Sequence, residues 1–597
     1  MKKLFSLLIA FSAFINAFSQ TITHGPFISA VTENSAKSYL RTNTSTAFDF
    51  VISLDSTSFS SPITYYDFTN AAKDTSAIIS ISGLLPDTKY YYKVIINGLQ
   101  ASAVQSFRTF PLPNSVSNFT FAFGSCEGFS GSVIHEPIFA QVINSSPRFF
   151  LECGDWGYPD VTDNFPFDTN FFSIYYTKIQ ESYHLKYSPH GDIFNLMKTT
   201  PIDYVYDDHD YMQDNSARDF TPNYSSSPGV LIDVPNPPGA RENSIRAYTE
   251  YFPAYPMVDT SEGIFHSIRY GNVEIFMCDD RSARSPSLEG FVPDTANAGL
   301  LMYDPPAGHS MLGQIQMNWL VNGLKTSSAK WKFVMTGVAF NKGYQSYLDF
   351  ALTPFIQNTV FTSPFGSGNG KNFAAGIVDT WIGFPEDQNR LLSLCSQDSI
   401  GNLIFLTSDS HTAALDDGGN SGFPELMSGN LNQTNSKLAH LTDSLGMNVW
   451  NGGGEGIGNN NFSFTFGKID VFGNDSVRLS IIDTLGSTIA SIIVHDGVCT
   501  APSGVSETNK KSKNSFPLII YPNPARDFIR LKINDTDLLN KKGIIEIYDF
   551  AGKRVISKSL TSQKEIQVNL GDISQGLYFC VVTTEKGKFT AKFSKGN

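Results

Sequence analysis

The chain has 597 residues, which is more than one ordinary domain holds and predicts two to four domains. Hydrophobic residues make up 41% and charged residues 17%, so the chain can bury a core and is not a disordered protein. The formal net charge of −13 at pH 7 argues against nucleic acid or an anionic membrane as a constitutive partner, because both require a basic surface. Phosphate-bearing ligands stay possible, since bound cations can invert the local field.

The first residues have the layout of a secretory signal peptide. Two lysines precede the apolar run LFSLLIAFSAFI, and small residues follow around Ala17 and Ser19. We predict a signal peptide over residues 1–19, cleaved near Ser19–Gln20, and therefore an exported protein. A membrane anchor is the alternative, but the run is short. No other stretch could span a bilayer, so no integral membrane segment is expected after cleavage.

Residues 20–112 have the pattern of a small all-β domain. Short segments rich in β-branched and aromatic residues alternate with turn residues, among them AKSYLRT, FDFVISL and KYYYKVII. This rhythm predicts a β-sandwich, and LLPDT before KYYYKV resembles the corner before a late strand in fibronectin type III domains. Two prolines stiffen the linker PLPNSVSN that follows.

Residues 118–500 alternate continuous apolar runs with longer stretches. The runs are FTFAFG, RFFLECG, IDYVYD, VEIFMC, WKFVMTG and NLIFLTS, whereas QIQMNWLVNGLK and DQNRLLSLCSQD have helical spacing. Buried strands separated by helices predict an α/β (α+β) layered core. The stretches 160–200 and 211–265, rich in Asn, Ser, Pro and Tyr, are predicted as surface loops.

Residues 501–515 form a polar linker with little to bury, and residues 516–597 again have the pattern of a small β-sandwich. Its characteristic words are Tyr521-Pro522-Asn523-Pro524, Ile547-Tyr548-Asp549 with Gly552-Lys553, Gly576-Leu577-Tyr578 and the closing Lys592-Phe593. They resemble the C-terminal sorting domain of the type IX secretion system of Bacteroidetes. The resemblance implies an address label read by that secretion machinery, and a generic carbohydrate-binding sandwich is the alternative.

The six cysteines could form three disulfides in an exported protein. However, Cys126, Cys153 and Cys278 all stand at the ends of apolar runs beside polar motifs. We predict buried thiols at Cys153 and Cys278 and treat Cys126 as a candidate ligand. The pattern assigns no pairing to Cys395, Cys499 and Cys580.

Polar side chains follow five of the apolar runs of the middle region, where each predicted strand ends. In open α/β sheets ligands bind outside the carboxyl ends of the strands, so these groups should meet at one rim. They are Ser125 and Cys126; Asp155 and Tyr158; Asp207, Asp208, His209 and Asp210; Asp279, Asp280, Arg281 and Arg284; and Asp409 and His411. Carboxylates this crowded raise each other's pKa unless cations neutralise them, which predicts a metal centre.

The chemical types of the candidate ligands indicate which metal ions could bind. Carboxylate and amide oxygens suit Ca²⁺, Mn²⁺ or Mg²⁺, whereas a phenolate and a thiolate beside a carboxylate suit Fe³⁺ or Zn²⁺. Each group alone has an ordinary structural explanation: Asp155 could cap a helix, and Cys126 could be a small packed side chain. The run from Asp279 to Arg284 could be a surface ion-pair cluster. The convergence of five strand ends favours the metal site.

Seven words in this order resemble the PhoD-like alkaline phosphatases, a branch of the calcineurin-like metallophosphoesterases. The words are Ser125-Cys126, Gly154-Asp155-Trp156-Gly157-Tyr158, Asp207-Asp208-His209-Asp210, Asp279-x-Arg281-x-x-Arg284, Leu312-Gly313-Gln314, Asp379-x-Trp381-x-Gly383-x-Pro385 and Ser408-Asp409-Ser410-His411. The resemblance covers most of 20–500. It implies a metallophosphoesterase core, a β-sandwich flanked by helices, behind a fibronectin-III-like N-terminal sandwich.

The same resemblance implies a secreted phosphoester hydrolase whose two metal ions activate water for attack on phosphate esters. The implied metal ligands are Cys126, Asp155, Tyr158, Asp208, Asn215 and Asp409. Asp155 would bridge the ions, and Cys126 with Tyr158 would complete an Fe³⁺ site. The carboxylates would hold a divalent cation, Ca²⁺, with Zn²⁺, Mn²⁺ or Mg²⁺ as alternatives.

Four residues are the implied catalytic groups that contact phosphate or stabilise the transition state: Arg281, His209, His411 and Arg284. The chain departs from the family pattern at two places. Ser408 stands where relatives have glycine, and the offset after Asp-Asp-His-Asp makes Asp214 an alternative ligand to Asn215. Two other functions remain open: a phosphodiesterase or phospholipase-like specificity at the same site, and a catalytically inactive secreted binding protein.

Overall fold

The computed structural model describes residues 20–128, 136–158, 176–223, 231–358, 360–361, 368–398, 400–433, 447–455, 464–497, 518–522, 525–533, 543–549, 553–560, 563, 565–571, 573–584 and 587–596. The predicted signal peptide, the linker 501–515 and Cys499 lie outside these residues. Among the described residues, no helix combines the length and the apolar character that crossing a membrane requires.

The N-terminal region consists of strands, as its alternating pattern predicts. They are β1 (Ile22–Ser29), β2 (Ser35–Thr42), β3 (Ala47–Ser53), β4 (Ile63–Phe68), β5 (Ser76–Ser82), β6 (Lys89–Ile96), β7 (Leu99–Gln100) and β8 (Gln105–Arg108). Strands β1, β2 and β5 form one sheet, and the other five form a second. In β6 every second side chain is buried, so one face of the sheet packs inward and the other faces solvent.

The middle region contains nineteen strands among the described residues. They are β9 (Asn118–Gly124), β10 (Phe150–Glu152), β11 (Ile202–Tyr204), β12 (Phe220–Asn223), β13 (Ile232–Pro235), β14 (His266–Tyr270), β15 (Val273–Met277), β16 (Phe291–Pro293), β17 (Leu301–Tyr303), β18 (Trp331–Met335), β19 (Val360–Phe361), β20 (Gly368–Asn369), β21 (Leu403–Thr407), β22 (Ala413–Asp417), β23 (Pro424–Ser428), β24 (Gly453–Glu455), β25 (Thr465–Phe472), β26 (Ser476–Asp483) and β27 (Thr488–His495). All six predicted apolar runs are strands, namely β9, β10, β11, β15, β18 and β21.

The helices of the middle region are α1 (Ile138–Asn144), α2 (Tyr176–Lys186), α3 (Asp192–Met197), α4 (Asp208–Tyr211), α5 (Ala240–Tyr251), α6 (Gly313–Thr326), α7 (Gln345–Ala351), α8 (Pro354–Gln357), α9 (Gly370–Ile377) and α10 (Pro385–Asp398). The two segments with helical spacing are confirmed as α6 and α10. The prediction of loops over 160–200 and 211–265 is wrong where α2, α3 and α5 lie. In α5 the polar composition hides a buried face, formed by Ala240, Ser244, Ala247, Tyr248 and Tyr251 at helical spacing.

Two large sheets supply the strands that surround the site. One has the order β11-β10-β9-β25-β26-β27, and the other has the order β14-β15-β18-β21-β23-β22-β24. Strands β9, β10 and β11 are parallel, as are β15, β18, β21 and β23. The five predicted strand ends therefore come from two sheets rather than from one.

The core joins these two sheets. Phe121 of β9 and Phe333 of β18 meet edge to face, with ring centroids 5.3 Å apart. On the other face of the second sheet, a separate cluster joins Phe276 and Phe405 to Leu320 of α6 and Leu391 of α10. Burial of both faces explains why these strands are continuous apolar runs.

The N-terminal sheets contact the region behind the predicted site. The ring of Tyr187 lies 4.8 Å from that of Phe27 and 5.0 Å from that of Tyr39, both in N-terminal strands. The same ring lies 5.8 Å from that of Trp156, which belongs to the Gly-Asp-Trp-Gly-Tyr segment. The N-terminal strands therefore support this segment from behind.

The C-terminal region has strands β28 (Leu518–Tyr521), β29 (Phe528–Ile533), β30 (Gly543–Asp549), β31 (Arg554–Ser559), β32 (Glu565–Asn569), β33 (Gly576–Thr584) and β34 (Gly587–Lys595). They form a three-stranded and a four-stranded sheet around a core of their own. Cys153 and Cys278 are buried free thiols, as predicted. Cys580 is also a buried free thiol, and Cys395 is disulfide-bonded.

Candidate metal centre

The candidate metal centre lies at the carboxyl ends of strands from both sheets. Strands β9, β10 and β11 lead to Cys126, Asp155 and Asp208, and β21 of the other sheet leads to Asp409. Three overlapping groups of side chains have ligand atoms within 4.8 Å of one another: Cys126, Asp155 and His411; Asp155, Asp208 and His209; and Asp207, Asp208 and Asp409. Asp155 and Asp208 each belong to two groups, so the groups form one continuous centre.

A thiol and a phenol lie on one side of Asp155. The Cys126 Sγ is 3.8 Å from Asp155 Oδ2, and the phenol of Tyr158 interacts with both of these side chains. The Tyr158 hydroxyl is also 2.8 Å from His411 Nε2. The structure thus brings together the sulfur, phenol and carboxylate that the sequence predicts for one ion.

Carboxylates and backbone donors lie on the other side. The His209 N–H donates to Asp208 Oδ1 over 2.8 Å and to Asp155 Oδ1 over 3.3 Å. The Asn215 N–H donates to Asp208 Oδ2 over 2.6 Å, so this contact of Asn215 uses its backbone. Asp214 is exposed, with Oδ1 3.9 Å from His209 Nε2.

Backbone strain is concentrated at the predicted site. Six of its ten residues have a positive φ although none is glycine: Cys126 (59°), Asp155 (57°), Tyr158 (45°), Asn215 (58°), Asp409 (65°) and His411 (46°). Each such conformation costs on the order of 1–3 kcal/mol, so it persists only where the surrounding structure imposes it. The strands and their loops therefore hold these side chains in fixed positions before any ligand binds.

Glycines allow two loops to approach Asp207. Gly154 has φ +88°, and a Cβ built there would lie 2.4 Å from the Cβ and from the backbone nitrogen of Asp207. At Gly337, which follows β18, a Cβ would lie 2.5 Å from Asp207 Oδ2. A side chain at either position would push Asp207 away from the centre.

The electrostatics of the centre call for a cation. Burial, with the neighbouring charge of Asp208, raises the pKa of Asp155 and of Asp207 well above the ordinary range. Burial and the charge of Asp155 likewise raise the pKa values of Cys126 and Tyr158. These groups would take up protons unless positive charge lay among them, and their oxygens and sulfur suit two metal ions.

Asp208 is the exception among the carboxylates. Burial raises its pKa, but the charges of Arg281 and His209 outweigh burial, and the pKa lies below the ordinary value. Asp208 is therefore the carboxylate held ionised by the protein itself. In addition, Asp207 Oδ2 is buried and has no hydrogen-bond partner among the described residues, although Asp207 belongs to one of the three ligand groups.

The predicted catalytic residues lie at different depths. His209 is buried, with 8% of its surface exposed, whereas His411 is partly exposed. Arg281 and Arg284 are 0% and 1% exposed. Arg281 forms ion pairs with Asp207, Asp208 and Asp379, and the distance from Arg284 to Asp379 is 2.6 Å.

Sequence reasoning missed a buried clamp behind the centre. Lys186 at the end of α2 donates to the carboxylate of Asp210 and to the carbonyl of Trp156. Asp210 also accepts from the Trp156 N–H at 3.2 Å and completes the capping box of α4 with Asp207. The clamp ties the loop of Asp155 to the helix of Asp208. Asp210 stands in the Asp-Asp-His-Asp word, but no sequence signal marked Lys186.

Two sheets that meet at a rim of carboxylates, with a thiol and a phenol beside them, form a candidate metal centre. The family described as PhoD-like phosphatase matches residues 121–470, and the chain belongs to this family of phosphoric ester hydrolases. The family described as secretion system C-terminal sorting domain matches residues 519–595, as the type IX sorting words predict. Such a domain implies a secreted or cell-surface protein.

One curated relative and one solved structure are similar to large parts of this chain. Alkaline phosphatase D of Bacillus subtilis (strain 168) is 22% identical over 356 residues, which is 57% of this chain. The match spans about half of that relative, 53% of its length. A solved structure titled "Structure of PhoD" is similar with a TM-score of 0.57 and 16% identity, covering 80% of this chain and 92% of the other. It supports the fold.

A more distant structure is the purple acid phosphatase PPD1 from yellow lupin (Lupinus luteus) seeds. It has 12% identity and a TM-score of 0.44, covering 79% of this chain and 74% of the other, and no argument is drawn from it.

Proposed function

We propose that the protein is a secreted phosphoester hydrolase of the alkaline phosphatase/phosphodiesterase type with a dinuclear metal centre. The observation that carries the proposal is the position of Asp155, which shares one ligand group with Cys126 and another with Asp208. We assign Fe³⁺ to the side of Cys126 and Tyr158, where sulfur and phenol favour a strong Lewis acid. We assign Ca²⁺, with Zn²⁺, Mn²⁺ or Mg²⁺ as alternatives, to the side of Asp208, Asp409 and Asn215.

A pair of bound metal ions would neutralise charge on the phosphate and activate water for attack. The chain's own residues would contact the phosphate and supply further positive charge. His209 and His411, which lie within the centre, would donate hydrogen bonds to phosphate oxygens and to the leaving group. Arg281, with Arg284 behind it, would supply fixed positive charge from the buried side.

The proposal includes a division of the chain. A signal peptide over residues 1–19 precedes a fibronectin-III-like domain over 20–112 and a catalytic domain over 118–500, in which helices flank the two sheets. The linker 501–515 leads to a sorting domain over 516–597 that the type IX secretion machinery would read. The separate core of β28 to β34 supports an independent final domain.

Hydrolysis of two matched substrates tests the function. Nitrophenyl phosphate and bis-nitrophenyl phosphate would be compared with the purified, metal-replete protein. We expect turnover of at least one substrate and its loss on treatment with a chelator, followed by recovery when Ca²⁺ returns. Preference for the diester would favour the phosphodiesterase or phospholipase-like specificity. No turnover of either ester by metal-replete protein would contradict the proposal and favour the inactive binding protein.

A further inference from the structure

We propose that Asp379 is a positioning residue that holds Arg281 against Asp207 and Asp208, and thereby sets the divalent-cation side of the centre. The inference rests on the proposed function and deepens it, because Asp379 is neither a proposed metal ligand nor a phosphate contact. It lies two residues after α9 and is 2% exposed.

The carboxylate of Asp379 contacts two guanidinium groups, those of Arg281 and Arg284. Its Oδ1 accepts from Arg284 over 2.6 Å and lies 3.5 Å from Arg281 Nη1, while its Oδ2 lies 3.3 Å from Arg281 Nη2. Both arginines are fully buried, so their charges would repel strongly in a medium of low polarity. The single carboxylate between them offsets this repulsion and fixes the distance between the two planes.

Arg281 connects Asp379 to the carboxylates of the centre. Its Nε donates to Asp207, and its Nη2 lies 3.7 Å from Asp208 Oδ2. Asp379 holds the far side of the same planar group, so the guanidinium has only one orientation that serves all three carboxylates.

Asp379 itself is anchored by its surroundings. Its backbone carbonyl accepts a hydrogen bond from Arg284, whose guanidinium stacks on Phe384 at 4.8 Å. Two residues later, the indole N–H of Trp381 donates to Thr336 Oγ1 over 3.1 Å, and Trp381 N–H donates to the carbonyl of Ala339. The Asp379 carboxylate therefore stands on a segment that is fixed to the residues following β18.

Asp379→Asn tests the inference, since asparagine keeps the shape and removes the charge. Removal of an outer partner of a metal ligand costs about 10- to 100-fold in metal affinity or activity. We expect a loss of that size in the affinity for Ca²⁺, measured by titration calorimetry on chelator-treated protein, and in kcat, with KM changed little. Asp379→Glu, which restores the charge one methylene farther out, is expected to recover part of both losses.

Asp387→Asn is the matched control. Asp387 is also buried, and it accepts from Ser310 Oγ over 2.6 Å and from Met311 N–H over 2.9 Å beside the start of α6. These hydrogen bonds hold that segment, and neither Arg281 nor Arg284 takes part in them. We expect Asp387→Asn to lower the Tm while Ca²⁺ affinity and kcat stay within about 2-fold of the wild type.

A double variant decides whether Asp379 acts through Arg281. If it does, Arg281→Gln combined with Asp379→Asn should bind Ca²⁺ no more weakly than Arg281→Gln alone. Losses that multiply, or an Asp379→Asn variant with wild-type Ca²⁺ affinity, would overturn the inference. Absence of any ester turnover in the wild type would overturn the proposed function, while the Ca²⁺ titrations would still decide the role of Asp379.

Discussion

Asp155→Asn is expected to eliminate measurable phosphoester hydrolysis. Among the described residues, Asp155 is the side chain shared by the Cys126 group and the Asp208 group, and an amide cannot offer two charged oxygens to two ions. The loss in kcat should exceed the roughly 10- to 100-fold that an outer-shell partner costs. Metal analysis of the purified variant should show that at least one of the two ions is missing.

The same substitution should leave the metal-free fold intact. Burial raises the pKa of Asp155, so its ionised form opposes folding above the ordinary pKa of an aspartate, and asparagine removes that cost. After chelation, the Tm of the variant near pH 8 should therefore equal or exceed that of the wild type. Loss of activity with a lowered Tm in the metal-free state would instead indicate a damaged fold.

Asp203→Asn is the matched control for this experiment. Asp203 is a buried aspartate on β11 whose carboxylate pairs with His266 Nε2 at 2.7 Å, away from the centre. Removing one partner of a buried pair leaves the other charge uncompensated, so the Tm should fall. The metal content and kcat should remain near wild type. A large loss of activity in this variant would mean that removal of any buried carboxylate from these strands is sufficient to explain the Asp155 result.

Gly154→Ala is expected to lower both stability and activity. The position has φ +88°, and the new Cβ would lie 2.4 Å from the backbone nitrogen of Asp207, which cannot rotate away as a side chain could. Strain and overpacking together should lower the free energy of unfolding by about 2–5 kcal/mol. Because the displaced residue caps the helix that carries Asp208, Ca²⁺ affinity should fall as well. Denaturant unfolding and Ca²⁺ titration measure the two effects.

Gly98→Ala separates the clash from the strain. Gly98 has φ +77°, nearly the same backbone conformation, but a Cβ there would meet nothing within 4 Å. It should cost only about 1–2 kcal/mol and leave Ca²⁺ affinity unchanged. Equal losses in the two variants would show that the close approach of Gly154 to Asp207 has no energetic importance.

Much of the candidate centre could be predicted because its candidate ligands follow buried strands directly. An apolar run that ends in a charged residue marks the rim of a sheet, and this rule located Cys126, Asp155, Asp208 and Asp409 without any long-range information. The helical spacing of α6 and α10 was equally local. The sequence pattern does not contain the order of the strands in the sheets, but this prediction did not require it.

The rest depended on contacts between distant parts of the chain. Lys186 lies on α2 with no nearby signal, yet it reaches Asp210 and the carbonyl of Trp156. Asp379 was visible only as part of a family word, and its role requires two arginines almost a hundred residues away in the sequence. Helix α5 was missed because a composition rich in polar residues concealed the buried face of Ala240, Ser244, Ala247, Tyr248 and Tyr251.

The metal content and visible spectrum of the wild-type protein and of Tyr158→Phe test the central claim most directly. Tyr158 lies beside Cys126 and Asp155, so a bound Fe³⁺ would give a tyrosinate-to-iron absorption band. The account predicts two metal ions per chain in the wild type and a visible band that disappears in Tyr158→Phe. A wild-type protein that hydrolyses phosphate esters without stoichiometric metal, or an iron band that survives in Tyr158→Phe, would contradict it.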